Sequence, residues 1–90
     1  MNYNKLFAEF IGTFIFLFVI ITTGNAWLIG LTLALVIFVL GKFSGGNYNP
    51  AVTFMMVLGN KQPKSDLLPY IIAQLLGAVM ALQVYKMKLF

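Results

Sequence analysis

The chain has 90 residues, of which 61% are hydrophobic and 9% charged, and its formal net charge is +4. This composition nearly excludes an ordinary water-soluble fold. The sequence has no cysteine and no histidine, so it lacks disulfides, thiolate chemistry and the common neutral-pH acid, base and metal ligand. We therefore expect neither an enzyme nor a metal or cofactor site.

The charged residues divide the chain into long apolar runs. Phe10–Gly41, Phe43–Asn60 and Leu67–Tyr85 contain 32, 18 and 19 residues without a charge. Runs of this length are typical of chain embedded in a lipid bilayer. The six basic residues are lysines near the ends of these runs, where long side chains can reach the interface. Nucleic-acid binding is disfavoured, because it needs a clustered basic face on a polar body.

The first apolar run is too long for a single crossing. As one helix it would extend about 48 Å, against about 30 Å for the hydrocarbon core. Thr22-Thr23-Gly24-Asn25 supplies its turn chemistry, a C-cap glycine and a polar tip, and the interfacial aromatic Trp27 follows. We predict a tight hairpin of transmembrane helices at about 4–23 and 26–41. The alternative is a cleavable secretory signal, disfavoured because the apolar stretch is long and contains Glu9.

The segment from about 43 to 59 begins as a loop and ends as a short apolar helix. Asn49 followed by Pro50 is a strong helix start, and Gly59 is a natural stop. The resulting helix of about 13 Å would cross roughly half of a bilayer core. Unpaired backbone survives at membrane depth only where protein covers it or where it lines a watery cavity. We therefore predict a re-entrant half-helix beside a cavity; the alternative is an interfacial amphipathic helix with Asn49 as a simple cap.

The remaining chain forms a polar loop and a third apolar helix. Lys61–Asp66 is polar and contains a proline, and a transmembrane helix follows at about 67–85 with Pro69 in its first turn. Small residues recur every four positions and favour close helix packing in a multi-helix bundle. These stripes are Ala8 and Gly12; Ala26, Gly30 and Ala34; and Ala73, Gly77 and Ala81.

Three segments, in this order, resemble signature motifs of the aquaporin (major intrinsic protein) family. Ser44-Gly45-Gly46-Asn47-Tyr48-Asn49-Pro50-Ala51-Val52-Thr53 is similar to its first signature loop. Ala8-Glu9-Phe10-Ile11-Gly12-Thr13 resembles its first-helix motif and Tyr70–Ala78 its third helix. The resemblance implies one of the two repeats that family members usually fuse. We expect an all-α membrane protein with three transmembrane helices and one re-entrant half-helix.

The resemblance also implies roles for single residues. Asn49 would be the pore's hydrogen-bond donor, and Pro50 and Ala51 would pack against the tip of a second half-helix. Glu9 would brace the loop by accepting its backbone N–H groups. The other implied braces are Thr13, one turn beyond Glu9, and Gln74.

The sequence departs from the family pattern at the narrow outer filter, which usually holds an arginine and often a histidine. This chain has neither residue type. Val52 follows the Asn-Pro-Ala box, and Asn47 stands where a histidine is usual. The resemblance puts these two residues, with Gly46, among the pore-lining residues and puts Ile29 and Ile37 beside the filter.

The leading hypothesis is a passive water channel made of antiparallel pairs of the chain, which cluster further into a higher oligomer as the family's monomers do. A channel for small uncharged solutes such as glycerol or ammonia is an alternative, because a filter without arginine is less polar or wider. A non-conducting membrane subunit that needs a distinct partner is another.

The lysines also predict the orientation in the membrane. Lys5, Lys42, Lys61 and Lys64 fall on the N-terminal side, and Lys86 and Lys88 fall on the other. This is a modest positive-inside signal. It predicts a multi-pass protein of dual topology with a preference for the N-terminus in the cytoplasm.

Overall fold

The computed structural model describes residues 3–88, which fold into α-helices and short connections. The helices are α1 (Tyr3–Thr23), α2 (Ala26–Ser44), α3 (Pro50–Leu58) and α4 (Leu67–Lys86), and a 3₁₀ turn, Lys64–Asp66, precedes α4. The helices α1, α2 and α4 are long and apolar enough to cross a membrane, whereas α3 has nine residues. The predicted fold class is confirmed: three long apolar helices and one short helix consistent with a re-entrant element.

Helix α1 lies between α2 and α4 and packs against both. The Lys5 Nζ forms a 2.9 Å ion pair with Asp66 Oδ2, so α1 and α4 begin at the same end of the bundle. Helix α2 runs the other way after the hairpin. The bundle therefore has the up-down-up course of three crossings, and the first and last described residues lie at opposite ends.

The hairpin between α1 and α2 uses the turn residues that the sequence indicated. Gly24 has φ +57°, the left-handed conformation that glycine adopts at low cost. The Asn25 side chain then accepts the N–H groups of Trp27 and Leu28 at 3.0 and 3.1 Å. This capping satisfies two backbone donors that the first turn of α2 would leave unpaired.

Helix α2 ends at Ser44, three residues beyond the predicted end at Gly41, so the loop predicted from residue 43 starts later. Gly41 does not stop the helix, because its carbonyl accepts the N–H of Gly45 at 2.7 Å. Gly45, with φ +91°, is the left-handed C-cap. The hydroxyl of Tyr70 donates to the Ser44 carbonyl at 2.7 Å and satisfies an acceptor at the helix end.

Helix α3 packs against α4 with one face only. Thr53 and Val57 on this face are buried. The opposite face is exposed and mostly apolar, and it consists of Ala51, Phe54, Met55 and Leu58. An apolar face open on a half-length helix is suited to lipid or to another protein surface.

Candidate functional site

The loop that leads into α3 has an unusual backbone. Gly45, Gly46 and Tyr48 all have positive φ angles, of +91°, +71° and +56°. This conformation is strained for a bulky residue such as tyrosine, so the surroundings of Tyr48 must hold it. The turn aims the backbone N–H groups of Asn47 and Tyr48 into the bundle, where they meet Glu9.

Glu9 lies at the centre of the site and is 0% exposed. Its Oε2 accepts hydrogen bonds from Ser44 Oγ at 2.7 Å and from the Asn47 N–H at 3.2 Å. Its Oε1 accepts from the Tyr48 N–H at 2.8 Å and from Gln74 Nε2 at 2.9 Å. Four uncharged donors thus surround one buried carboxylate, which offsets the cost of removing it from water. Through them α1 is joined to the end of α2, the loop and α4.

Thr53 extends this network into the half-helix. Its Oγ1 accepts from Gln74 Nε2 at 2.8 Å and from Asn47 Nδ2 at 2.9 Å. The same hydroxyl donates to the Asn49 carbonyl at 3.3 Å. The first turn of α3 is therefore tied to Glu9 through Gln74 and to the loop through Asn47.

Tyr48 fixes the loop against two long helices. Its hydroxyl donates to the Val36 carbonyl on α2 at 2.8 Å. Its ring lies against Gly12 on α1, so closely that a Cβ atom at Gly12 would overlap the ring. The small residue at position 12 therefore admits the ring that holds the strained loop conformation.

The exposed tip of α3 carries Asn49. Its Oδ1 accepts the Ala51 N–H at 2.8 Å, which caps the helix. Within residues 3–88 its Nδ2 has no hydrogen-bond partner, so it remains a donor toward the outside. Pro50 occupies the first helical position, where a missing N–H costs nothing. The tip thus combines an amide donor with the positive end of the helix dipole.

The structure brings most of the residues singled out in the sequence to this loop. Gly46 lies against Ile37, whose Cγ1 would be 3.3 Å from a Cβ on Gly46, and Ile37 is 45% exposed. Val52 is half-buried in the first turn of α3. Ile29 does not reach the loop, because it lies about 12 Å from Ile37 along α2.

Thr13 is placed differently from the other predicted braces. It is buried and its Oγ1 has no hydrogen-bond partner in the described part of the chain. Its Cβ would be 3.1 Å from a Cβ on Gly77, so it packs against α4 and makes no bond to the loop.

Sequence reasoning missed several side chains that hold the site, namely Ser44, Tyr48, Thr53, Gln62 and Tyr70. Three of them, Ser44, Tyr48 and Thr53, lie inside the segment from Ser44 to Thr53 and could have been found as polar residues in an apolar run. Gln62 lies in an exposed polar loop, where a glutamine carries no signal.

Known proteins are similar to this chain over most of its length. The family model for the major intrinsic protein matches residues 1–89. The chain is 40% identical over 87 residues to the glycerol uptake facilitator protein-like 6 of Lactiplantibacillus plantarum, covering 87% of the chain and 40% of that protein. It is 38% identical over 93 residues to aquaporin Z of Brucella melitensis, covering 87% and 41%. With aquaporin PIP2-7 of Arabidopsis thaliana the identity is 36% over 94 residues, covering 86% and 34%.

The chain therefore spans less than half the length of each of these relatives. No solved structure matches it significantly.

Proposed function

The chain belongs to the major intrinsic protein family, and we propose that it forms a passive transmembrane channel for water from two copies that pair in antiparallel orientation. Its family and its three apolar helices make it an integral membrane protein. The chain covers 40% of one relative that is named a glycerol facilitator and 41% of one named an aquaporin. A pathway through the membrane would therefore have to be built from copies of a single repeat.

The observation that carries the proposal is the exposed tip of α3. Asn49 presents an amide donor there, and the network around Glu9 holds the tip in place. A fixed donor at the positive end of a half-helix binds water through its oxygen and disfavours cations. A polar donor that protein does not cover is tolerated at membrane depth only beside water. The exposed tip therefore supports a position in the wall of a water-filled path.

The course of the three crossings supports antiparallel pairing. An inverted second copy would bring its own half-helix to the same depth from the other side of the membrane, which is the logic of inverted-repeat transport proteins. The exposed residues at the tip, Asn49 and Ala51, would then face those of the partner, with Pro50 between them. We propose that these pairs assemble into a higher oligomer.

A second candidate is a channel for small uncharged solutes such as glycerol or ammonia. The chain has no arginine and no histidine, and Val52 and Ile37 beside the loop are apolar. A constriction of this kind is less polar than one lined by arginine. The relative named a glycerol uptake facilitator supports this candidate.

Osmotic shrinkage of liposomes tests the proposal. Purified chain in liposomes is challenged with an impermeant osmolyte, and the shrinkage rate is compared with that of protein-free liposomes of the same lipid. We expect water flux well above the lipid background, and reswelling in glycerol gradients reports the second candidate. Flux equal to background in both assays would support the non-conducting subunit instead.

Exclusion of charge is a separate part of the proposal. With no arginine, it would depend on the two helix N-termini and the paired Asn49 amides. Asn49→Asp would offset roughly half an elementary charge at each helix end, and an ionised carboxylate cannot donate. We expect this variant to pass protons or cations into dye-loaded vesicles, while the parent and the exposed control Asn60→Asp do not. A parent that leaks protons as fast as the variant would contradict the dipole account.

Dual topology can be tested by labelling, because the chain has no cysteine of its own. Single cysteines replace Lys61, in the loop before α4, and Lys86, at its far end. In intact cells an impermeant thiol reagent should label both variants. Chains in one orientation expose position 61 to the outside, and chains in the opposite orientation expose position 86. Labelling of only one variant would exclude the antiparallel pair in that membrane.

A further inference from the structure

The loop before α4 reaches into the site through one side chain. Gln62 Oε1 accepts a hydrogen bond from Asn47 Nδ2 at 2.7 Å. Gln62 Nε2 donates to Asp66 Oδ2 at 3.2 Å, and the same oxygen pairs with Lys5 Nζ at 2.9 Å. Gln62 is thus held in place by Asp66, whose ion pair with Lys5 joins the 3₁₀ turn before α4 to the first turn of α1.

Among the described residues, the hydrogen bonds of the Asn47 side chain use its nitrogen and leave its oxygen unbonded. Its Nδ2 donates to Thr53 Oγ1 at 2.9 Å and to Gln62 Oε1, so both N–H groups point into protein. Its Oδ1 has no hydrogen-bond partner in the described range 3–88 and lies toward exposed Gly45, 4.0 Å from the place of a Cβ there. Thr53 alone would engage one N–H and leave the amide freer to turn.

We propose that Gln62 is a positioning residue that fixes the Asn47 amide with its carbonyl oxygen as the accepting side toward the solute path. The site then offers a donor at Asn49 Nδ2 and an acceptor at Asn47 Oδ1, on residues that are two positions apart in one loop. A pair of this kind selects neutral solutes that both accept and donate hydrogen bonds, such as water and small hydroxylated molecules. The effect on transport rests on the proposed function, whereas the contact itself does not.

The contact is tested by the side-chain amide signals of asparagine in ¹⁵N-labelled chain in detergent micelles. Asn47→Ala identifies the Asn47 signal by its loss. In Gln62→Leu the Asn47 amide protons should exchange with solvent about three- to tenfold faster, the factor that corresponds to losing one ordinary hydrogen bond. Gln83→Leu is the matched control, because it makes the same replacement at an exposed position of α4. Exchange in Gln62→Leu equal to that of the parent would overturn the proposal.

Water permeability in liposomes tests the consequence for transport. We expect Gln62→Leu to lower the flux per channel by about threefold or more, and Gln83→Leu to leave it unchanged. In the double variant of Asn47→Ala and Gln62→Leu, the second change should add nothing, because Gln62 acts through Asn47. An additive loss would overturn the positioning role.

The two tests separate this proposal from the proposed function. A parent without water flux would contradict the channel, and the amide exchange would still decide whether Gln62 holds Asn47. A conducting parent whose Gln62→Leu variant keeps full flux and slow exchange would contradict the positioning role and leave the channel standing.

Discussion

Two stripes of small residues have the same spacing in the sequence and different surroundings in the structure. Ala73, Gly77 and Ala81 on α4 are buried. Ala26, Gly30 and Ala34 on α2 are exposed, and a Cβ at Gly30 would meet nothing within 4 Å. At Gly77, by contrast, a Cβ would lie 2.9 Å from the Phe10 carbonyl oxygen, so α4 approaches the α1 backbone directly.

Spacing alone therefore does not decide which helices pack against each other. The α1–α4 contact combines close backbone approach with the bond between Gln74 and Glu9. Helix α2 contacts α1 with another face, which includes Val36 and Ser44, and leaves its own stripe free for lipid or protein. A stripe of small residues makes close packing possible, and a polar pair across the interface selects the partner.

The largest effect is expected from Gly77→Leu. The new side chain would collide with backbone atoms of Phe10 and Phe14, which cannot move as a flexible side chain can. We expect α4 to lose its place beside α1, with a loss of more than about 3 kcal/mol in the free energy of unfolding. Denaturant titration in mild detergent, followed by circular dichroism, measures it. Unfolding close to that of the parent would show that the contact is looser than described.

A smaller but still large effect is expected from Glu9→Leu, which removes the polar part of the α1–α4 contact and leaves its packing. Four donors would lose their acceptor, and we expect a loss of about 3 kcal/mol in unfolding free energy. Glu9→Gln keeps one acceptor oxygen and should lose less. If both variants unfold like the parent, close packing alone holds α4.

Tyr70→Phe and Tyr48→Phe test how α2 is held. Each change removes one hydroxyl that donates to an α2 carbonyl, of Ser44 and of Val36 respectively. We expect each to cost about 1 kcal/mol in unfolding free energy. Tyr3→Phe, whose ring is exposed, should cost nothing and serves as the control. Equal stability of all three variants would mean that the apolar contact with α1 is sufficient for α2.

The smallest effect is expected from Gly30→Leu, the counterpart of the first variant. Its side chain has open space, and leucine favours helix more than glycine by up to about 1 kcal/mol. The unfolding free energy should stay the same or rise slightly. A loss comparable to that of Gly77→Leu would remove the contrast between the two stripes.

Much of the fold could be predicted from the sequence because the signals are local. The charge-free runs predicted the long helices, and Asn49 followed by Pro50 predicted the start of α3. Helix α2 continues three residues beyond its predicted end at Gly41, to a left-handed C-cap at Gly45. The carbonyl of its last residue, Ser44, is satisfied by the Tyr70 hydroxyl on another helix, a contact that no local pattern indicates.

The site was harder to predict because its contacts join distant parts of the chain. The resemblance indicated Glu9 as a brace, but no local pattern links Asn47 to Gln62, 15 residues later. The burial of one stripe and the exposure of another also depend on which helix faces which, and periodicity carries no such information. The roles of the loop residues in transport remain predictions.

The network around Glu9 has a consequence for synthesis at the ribosome. The donors to this carboxylate come 35, 38, 39 and 65 residues after it in the chain. At a translation rate of about 5 to 20 residues per second, Gln74 is made roughly 3 to 13 seconds after Glu9. Until Gln74 is made, α1 carries an acid that lacks at least one of its four donors, and in lipid such a group is costly. The hydrogen bonds around Glu9 on α1 can therefore be completed only after Gln74 on α4 has been made.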